Sequence, residues 1–233
     1  MDKIIETVME KYPKKSFEYA VVAVDVVLFT VVRNKLHALL LELDREEFPN
    51  MWALPGGLVA PNEKLEQAAE RHLRERANAT NAHIEQLATF GDPDRDPTGW
   101  VVSVAYMGLI APHSFSPKTS TRYKSIEWYP VDELPSLAYD HQEIIKTAVE
   151  RLQGKLSYTN IIYSLVPEEF TLSELQNSYE IILEKELDKR NFRKKFLSLD
   201  LLEELPKKAS GGAHRPAVLY RFTEKTPQII SIL

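Results

Sequence analysis

Two spacings of apolar residues alternate along the chain, and each predicts its own kind of element. Tyr19 to Val32, YAVVAVDVVLFTVV, is dense in β-branched residues. After a turn at Arg33 to Lys35 a second such run follows at Leu36 to Leu43, so the pair predicts a hairpin. Ile84 to Phe90, Val101 to Ile110 and Ser125 to Val131 predict three further strands. Between them the period lengthens to that of a helix. Leu65, Ala68, Ala69 and Leu73 share one face, and Ile144, Ile145, Ala148, Val149 and Leu152 do the same over Asp140 to Gln153. Ile4, Ile5, Val8 and Met9 predict a short amphipathic helix within residues 1 to 14, ending before Pro13.

The pattern changes near Gly154 to Thr159, where strand-rich sequence stops, and this divides the chain into residues 1–155 and 156–233. In the second part, TLSELQNSYEIIL starts with Thr171 and has Glu174 three residues on, a capping box. Leu172, Leu175, Tyr179 and Ile182 form its apolar stripe. A break at EKELD leads to KRNFRKKFLSLD, where Phe192, Phe196 and Leu199 face inward. A strand at Leu201 to Leu205, the glycine turn KKASGGAHRP and a return strand at Ala217 to Phe222 complete the order.

Composition narrows the class. The chain has 233 residues, 44% of them hydrophobic and 27% charged, which describes an ordinary globular protein. It has no cysteine, so disulfides and thiolate metal sites are excluded. No apolar stretch approaches a membrane span, and MDKIIETVMEKYPKK lacks a signal-peptide core, so a cytoplasmic protein without membrane attachment is expected. The net charge of -5 is unevenly placed. Between Lys189 and Arg221 nine Lys or Arg face three Asp or Glu. Basic helix faces are usually solvated surface. Here Lys189, Arg190, Asn191, Arg193, Lys194 and Lys195 are left for the outer face and first turn of a second helix, an arrangement suited to phosphate contacts, with Asn191 and Arg193 candidates for base edges.

The stretch that organises the first part is Leu54 to Asn78. Gly57 is followed after five residues by Glu63, and Glu63 after seven more by Arg71, which opens the run Arg71, His72, Leu73, Arg74, Glu75, Arg76. This spacing resembles the Nudix box of the nucleoside-diphosphate-X hydrolases, a strand, loop and helix that holds magnesium on a diphosphate. Gly57, Glu63, Arg71, Leu73 and Glu75 are kept. His72 and Arg76 stand where the family has metal-binding carboxylates, and Asn78 replaces a glycine. Magnesium needs hard oxygen donors, so the box is read as degenerate: no catalytic residue, no metal and no required cofactor, with magnesium relevant only to residual hydrolysis. The resemblance implies a Nudix α/β/α sandwich around a mixed sheet.

The loop FGDPDRDPTGWVVSVAY resembles that of Nudix proteins which act on or sense ADP-ribose-like molecules. Read alone, Asp94, Arg95 and Asp96 make a self-neutralising turn. The resemblance makes them effector contacts instead, together with Arg45, Trp52, Gly57, Arg71 and Glu75, with Arg95 the better contact. Trp52 and Leu54 are expected to pack beneath the loop.

The order of the second part resembles a winged helix-turn-helix, and FTLSELQNSYE through DKRNFRKK to RPAVLYRF resembles the C-terminal domain of the Nudix-related transcriptional regulators of bacterial NAD and pentose metabolism. That likeness spans the whole chain. It implies a homodimeric regulator, such as a repressor, that reads palindromic operator DNA and responds to ADP-ribose or a pentose. Thr171, Ser173, the basic helix residues, His214 and Arg215 would lie at the DNA. The competing reading is an ADP-ribose pyrophosphatase with an accessory domain, in which Glu63 and Glu75 hold a metal.

Overall fold

The fold, a computed structural model, is described for residues 19–80, 82–112, 117, 123–209, 216–230 and 232. The amphipathic helix expected in residues 1 to 14, and the wing residues His214 and Arg215, lie outside these.

Strand β1 (Val21–Val32) is the axis of a mixed sheet. Along one edge it pairs in parallel with β6 (Val101–Leu109) over Val21 to Phe29. Its other edge is shared: Ala23 to Asp25 pair with β4 (Gly56–Leu58), and Phe29 to Val32 with β2 (Lys35–Leu43), which turns at Arg33 and Asn34. Strands β3 (Trp52–Ala53) and β7 (Tyr123–Pro130) flank β2, and β5 (His83–Phe90) closes the far edge against β6.

The dense apolar run of β1 has a direct cause: the strand is covered on both faces. Val24, Val26 and Leu28 pack beneath helix α1 (Leu65–Ala77) with its Ala68, Ala69, Leu73 and Ala77. Val27 and Phe29 point the other way, into a core with Ile144, Ile145, Ala148 and Leu152 of helix α2 (His141–Tyr158). This is the expected α/β/α sandwich. Leu65 is only partly buried, at the margin of its core, and Val149 likewise. Helix α2 runs on to Tyr158, beyond the expected end at Gln153, because Leu156 is fully buried and extends the same stripe.

A short 3-10 turn (Ile161–Ser164) leads to helix α3 (Leu172–Leu183). Thr171 caps it as the spacing predicts: its Oγ1 accepts from Glu174 N–H, and the Glu174 carboxylate accepts from Thr171 N–H. Helix α4 (Lys189–Leu197) is capped by Asp188, which accepts from Asn191 N–H. Strands β8 (Leu202–Lys208) and β9 (Val218–Phe222) form the wing. Tyr179, Phe192 and Phe196 meet ring to ring at centroid separations of 4.6 to 5.4 Å and lock α3 to α4. One apolar core runs on from the sandwich into this module through Leu156, Ile161, Phe170 and Phe222. Gln153 on α2 donates to the Ile182 carbonyl of α3 at 2.9 Å, and Asn177 bonds Asn34 in the β1–β2 turn.

Candidate functional site

The two glycines ahead of α1 are needed where they stand. A Cβ on Gly56 would lie 2.2 Å from Asp25 Oδ1, and one on Gly57, where φ is 148°, 2.5 Å from Arg76 Nη2. The backbone therefore passes close over β1 and opens a cleft of about 330 Å³ between the Gly-Gly strand, the β5–β6 loop and the start of α2.

Asp25 lies at its base, with 7% of the residue exposed. Ser103 Oγ donates to its carboxylate at 2.6 Å, Arg95 Nη2 stands 3.4 Å away, and His141 Nε2 3.4 Å away. Burial alone would raise the pKa of this acid, but His141, Ser103 and Arg95 together outweigh it and hold the carboxyl well below the usual range. The His141 tautomer follows from its neighbours: Leu54 N–H donates to Nδ1 at 2.9 Å, so the proton sits on Nε2 and faces Asp25.

Arg95 is buried and makes a two-pronged pair with Asp140, at 2.8 Å through Nε and 2.6 Å through Nη2. The self-neutralising turn is thus corrected, since Arg95 reaches across the fold to Asp140, the N-cap of α2, and leaves its sequence neighbours. The turn is closed by acceptors instead: Asp92 Oδ1 takes Asp94 N–H, and Asp96 Oδ1 takes Thr98 N–H and Oγ1–H.

Arg45, Gly57, Arg95 and Asp96, all expected at the effector, line the cleft. Four others do not. Trp52 packs into the core edge-on to Tyr129, with centroids 4.8 Å apart, because β3 turns that side chain inward. Arg71 is taken by Glu63, Nε to Oε1 at 2.6 Å and Nη2 to Oε2 at 2.7 Å. Glu75 pairs with Arg71 at 3.6 Å on the outer face of α1. Asp94 faces a separate acidic recess with Asp92, Asp140 and Glu143. In their place the cleft uses Asp25, Trp100, Tyr123, Tyr139 and His141. Asp25 carried one signal, an acid inside an apolar strand, which burial makes costly unless it is paired. The aromatic residues carried none. Tyr139 has a left-handed backbone, φ 56°, and stacks obliquely between Phe48 and His141 while its hydroxyl meets Arg45 Nη1 at 3.4 Å.

The box helix shows what became of the metal positions. Burial lowers the pKa of His72 below 6.5 and keeps the ring neutral. Its Nε2 donates to Leu58 O at 3.0 Å, and its Nδ1 accepts from Arg76 Nε at 3.1 Å. Glu63 also accepts from Ala60 N–H at 2.9 Å; Arg71 and that backbone bond hold its pKa at about 2. Asn78, at the glycine position, adopts φ 59° and donates to Arg74 O, a left-handed C-cap that Asn tolerates. Magnesium does not fit this set. Glu63 is already satisfied, His72 offers nitrogen that is already bonded, Arg76 is cationic, and Glu75 alone remains. A unit charge about 4 Å away costs roughly 4 kcal/mol per charge at an effective dielectric of about 20, and a divalent ion feels about twice that. Among the described residues no three His, Asp or Glu side chains converge to hold a metal ion.

On the second module, Lys189, Arg190, Asn191, Lys194 and Lys195 stand exposed on α4. None of these four cations enters an ion pair among the described residues. Arg193, the other candidate for base edges, is bonded within the module: Nη2 donates to Ser173 Oγ at 3.0 Å and Nε is buried, so the side chain ties α4 to the start of α3.

A degenerate Nudix sandwich joined to a helix pair with a strand-paired wing defines a class of DNA-binding protein with a nucleotide-type cleft. Comparison with known proteins agrees. Residues 21–152 match the NUDIX domain family, and residues 162–222 match the NrtR DNA-binding winged helix domain. The chain is 35% identical over 218 residues to the ADPR responsive transcriptional repressor NtrR of Acinetobacter baylyi, covering 92% of this chain and 86% of that one. The Shewanella oneidensis NrtR structure complexed with a 27mer DNA superposes with a TM-score of 0.76 at 34% identity, over 87% of this chain and 93% of that one. The Nudix domain of the same protein, complexed with ADP ribose, gives 0.54 at 34% identity over 63% of this chain and 97% of that domain. The chain belongs to the Nudix family and carries the winged helix domain of its NrtR-type transcriptional regulators.

Proposed function

We propose that this chain is an ADP-ribose-responsive transcriptional repressor, a cytoplasmic homodimer that holds a palindromic operator through two winged helices and releases it when ADP-ribose fills the cleft. The observation that carries this reading is the pairing of a box whose metal positions are filled by His72 and Arg76 with an exposed basic helix in one chain. ADP-ribose offers a diphosphate for Arg45, an adenine for the aromatic wall at Tyr139, and ribose hydroxyls for Asp96 and the backbone at Gly57. Lys189, Arg190, Asn191, Lys194 and Lys195 supply the DNA face, with Thr171 and Ser173 at the start of α3 and the wing beside it. No cofactor is required. The working division is 1–155 for the effector and 156–233 for DNA.

Helix α2 provides the connection. It begins at Asp140 and His141 in the cleft wall, and its far end accepts Ile230 N–H at Tyr158 O, with Gln153 bonded to α3. An effector that draws on Arg95 pulls directly on the Asp140 cap. Control then requires only that ADP-ribose bind the DNA-incompetent arrangement more tightly.

The test is a mobility-shift assay on the protein's own upstream DNA at moderate salt, with ADP-ribose, NAD and pentoses titrated in. A shift reversed by ADP-ribose is expected. Failure to retard any upstream fragment overturns the regulator, and release by a pentose alone replaces the effector.

A further inference from the structure

We propose that Trp100 selects the ligand of the cleft: its free indole face stacks an aromatic base, so the cleft takes a nucleotide and discriminates against a bare sugar phosphate. The inference rests on the cleft being the effector site and names the part of the ligand that this site reads.

The aromatic residues of the cleft differ in what they have left to offer. Tyr139 is packed against Phe48 and His141, at centroid separations of 4.6 and 5.0 Å, and gives the wall an edge and a hydroxyl. Tyr123 has the Arg76 guanidinium over its ring, with Cζ 5.5 Å from the centroid. Trp100 lines the same cleft, is 46% exposed, and makes no ring contact or side-chain hydrogen bond among the described residues. The other two tryptophans are engaged: Trp52 lies edge-on to Tyr129 in the core, and Trp128 packs at the margin of the core beneath α1. A large aromatic left bare in a concave site with a few polar groups is the usual mark of a ligand contact. The backbone beneath it is fixed. Trp100 stands immediately before β6, its carbonyl accepts from Val21 N–H at 2.9 Å, and Gly99 N–H donates to Asp96 O at 3.3 Å. A rigid side chain with few torsions on a fixed backbone loses little entropy on binding, and its flat π-face suits a flat heterocycle better than a sugar. Arg45, exposed on the same cleft, is left for the phosphates, so base and charge are met from separate elements.

The experiment titrates the full chain with ADP-ribose, ADP and ribose 5-phosphate, following both heat and tryptophan emission. The two base-bearing ligands are expected to bind and to quench the exposed tryptophan, while ribose 5-phosphate binds roughly tenfold more weakly and leaves emission unchanged. Trp100→Ala should weaken ADP-ribose and ADP by roughly tenfold, about 1.4 kcal/mol, and abolish the quench, with little change for ribose 5-phosphate. Trp100→Phe should restore most of the affinity. Wild-type binding of ADP-ribose without any change in emission overturns the proposal. So does a folded Trp100→Ala that binds ADP-ribose as tightly as wild type, or one that loses all three ligands equally. Light scattering tests for a subunit contact instead: a mass that falls in Trp100→Ala also overturns it. ADP bound in a Trp100-dependent way without ADP-ribose binding would sustain the inference and sink the effector. ADP-ribose that binds and releases DNA regardless of Trp100 would leave the repressor standing and sink the inference. Binding of none of the three ligands would overturn both.

Discussion

The cleft and the recognition helix use charge in opposite ways. At the base of the cleft the ionised groups are already answered: Arg95 by Asp140 and Asp25, Asp25 by Ser103 and His141 as well. On α4 the four lysine and arginine side chains named above stand in solvent with no ion pair among the described residues. The difference follows from what each surface meets. A small ligand enters a fixed shape, so its site must be held rigid before binding, and buried pairs do that. DNA brings a line of phosphates that exchange counterions for protein cations, so cations kept free in solvent are the useful ones.

Breaking the buried side of this contrast should have the largest effect. Arg95→Ala leaves Asp25 and Asp140 facing each other without their cation, and unfolding in denaturant should show a loss of about 3 to 5 kcal/mol. Double replacement with Asp140→Asn should recover part of it, since the remaining charge is one fewer. On the exposed side, changing Arg190, Lys194 and Lys195 together to Ala should leave the melting temperature within a degree or two of wild type while operator affinity falls by roughly a hundredfold, about 2.7 kcal/mol. The slope of affinity against salt should flatten in the same variant, by about one for each phosphate no longer neutralised. Thr171→Ala removes one half of the α3 capping box and should cost about 1 kcal/mol of stability, read by denaturant titration.

The smallest expected effect is a pH dependence. The folded pKa of His72 lies below its unfolded value of 6.5, so the unfolded chain binds the proton more readily. Its contribution is therefore fully present above 6.5 and declines as pH falls below that. His83, depressed by burial, adds in the same direction. Unfolding free energy should drop modestly from neutral pH towards pH about 5, and His72→Gln should flatten part of that drop. Glu63 contributes similarly at lower pH, between 4.5 and about 2.

What could be read from sequence follows the same division. The α3 capping box was legible because Thr171 and Glu174 interact across three residues, and the α4 stripe because Phe192 and Phe196 sit one turn apart. Local spacing carries such contacts. The Arg95–Asp140 pair was not legible, because the partners lie on separate elements and only the sheet brings them together. The same holds for the Arg193–Ser173 bond, which ties the two helices together. In the box the departures at His72 and Arg76 were visible as losses of carboxylate, yet the hydrogen-bonded chain that replaces them needed the approach of Leu58 and Gly57 to be seen.

In the proposed repressor, ADP-ribose filling the cleft at one end of α2, with no metal, loosens the basic helix at the other end from DNA. Fluorescence anisotropy of labelled upstream DNA, held by the full chain in EDTA while ADP-ribose is added, tests it most directly. The predicted result is a fall to the value of free DNA with no magnesium present. Anisotropy that stays at the bound value, or falls only once magnesium is supplied, would contradict it.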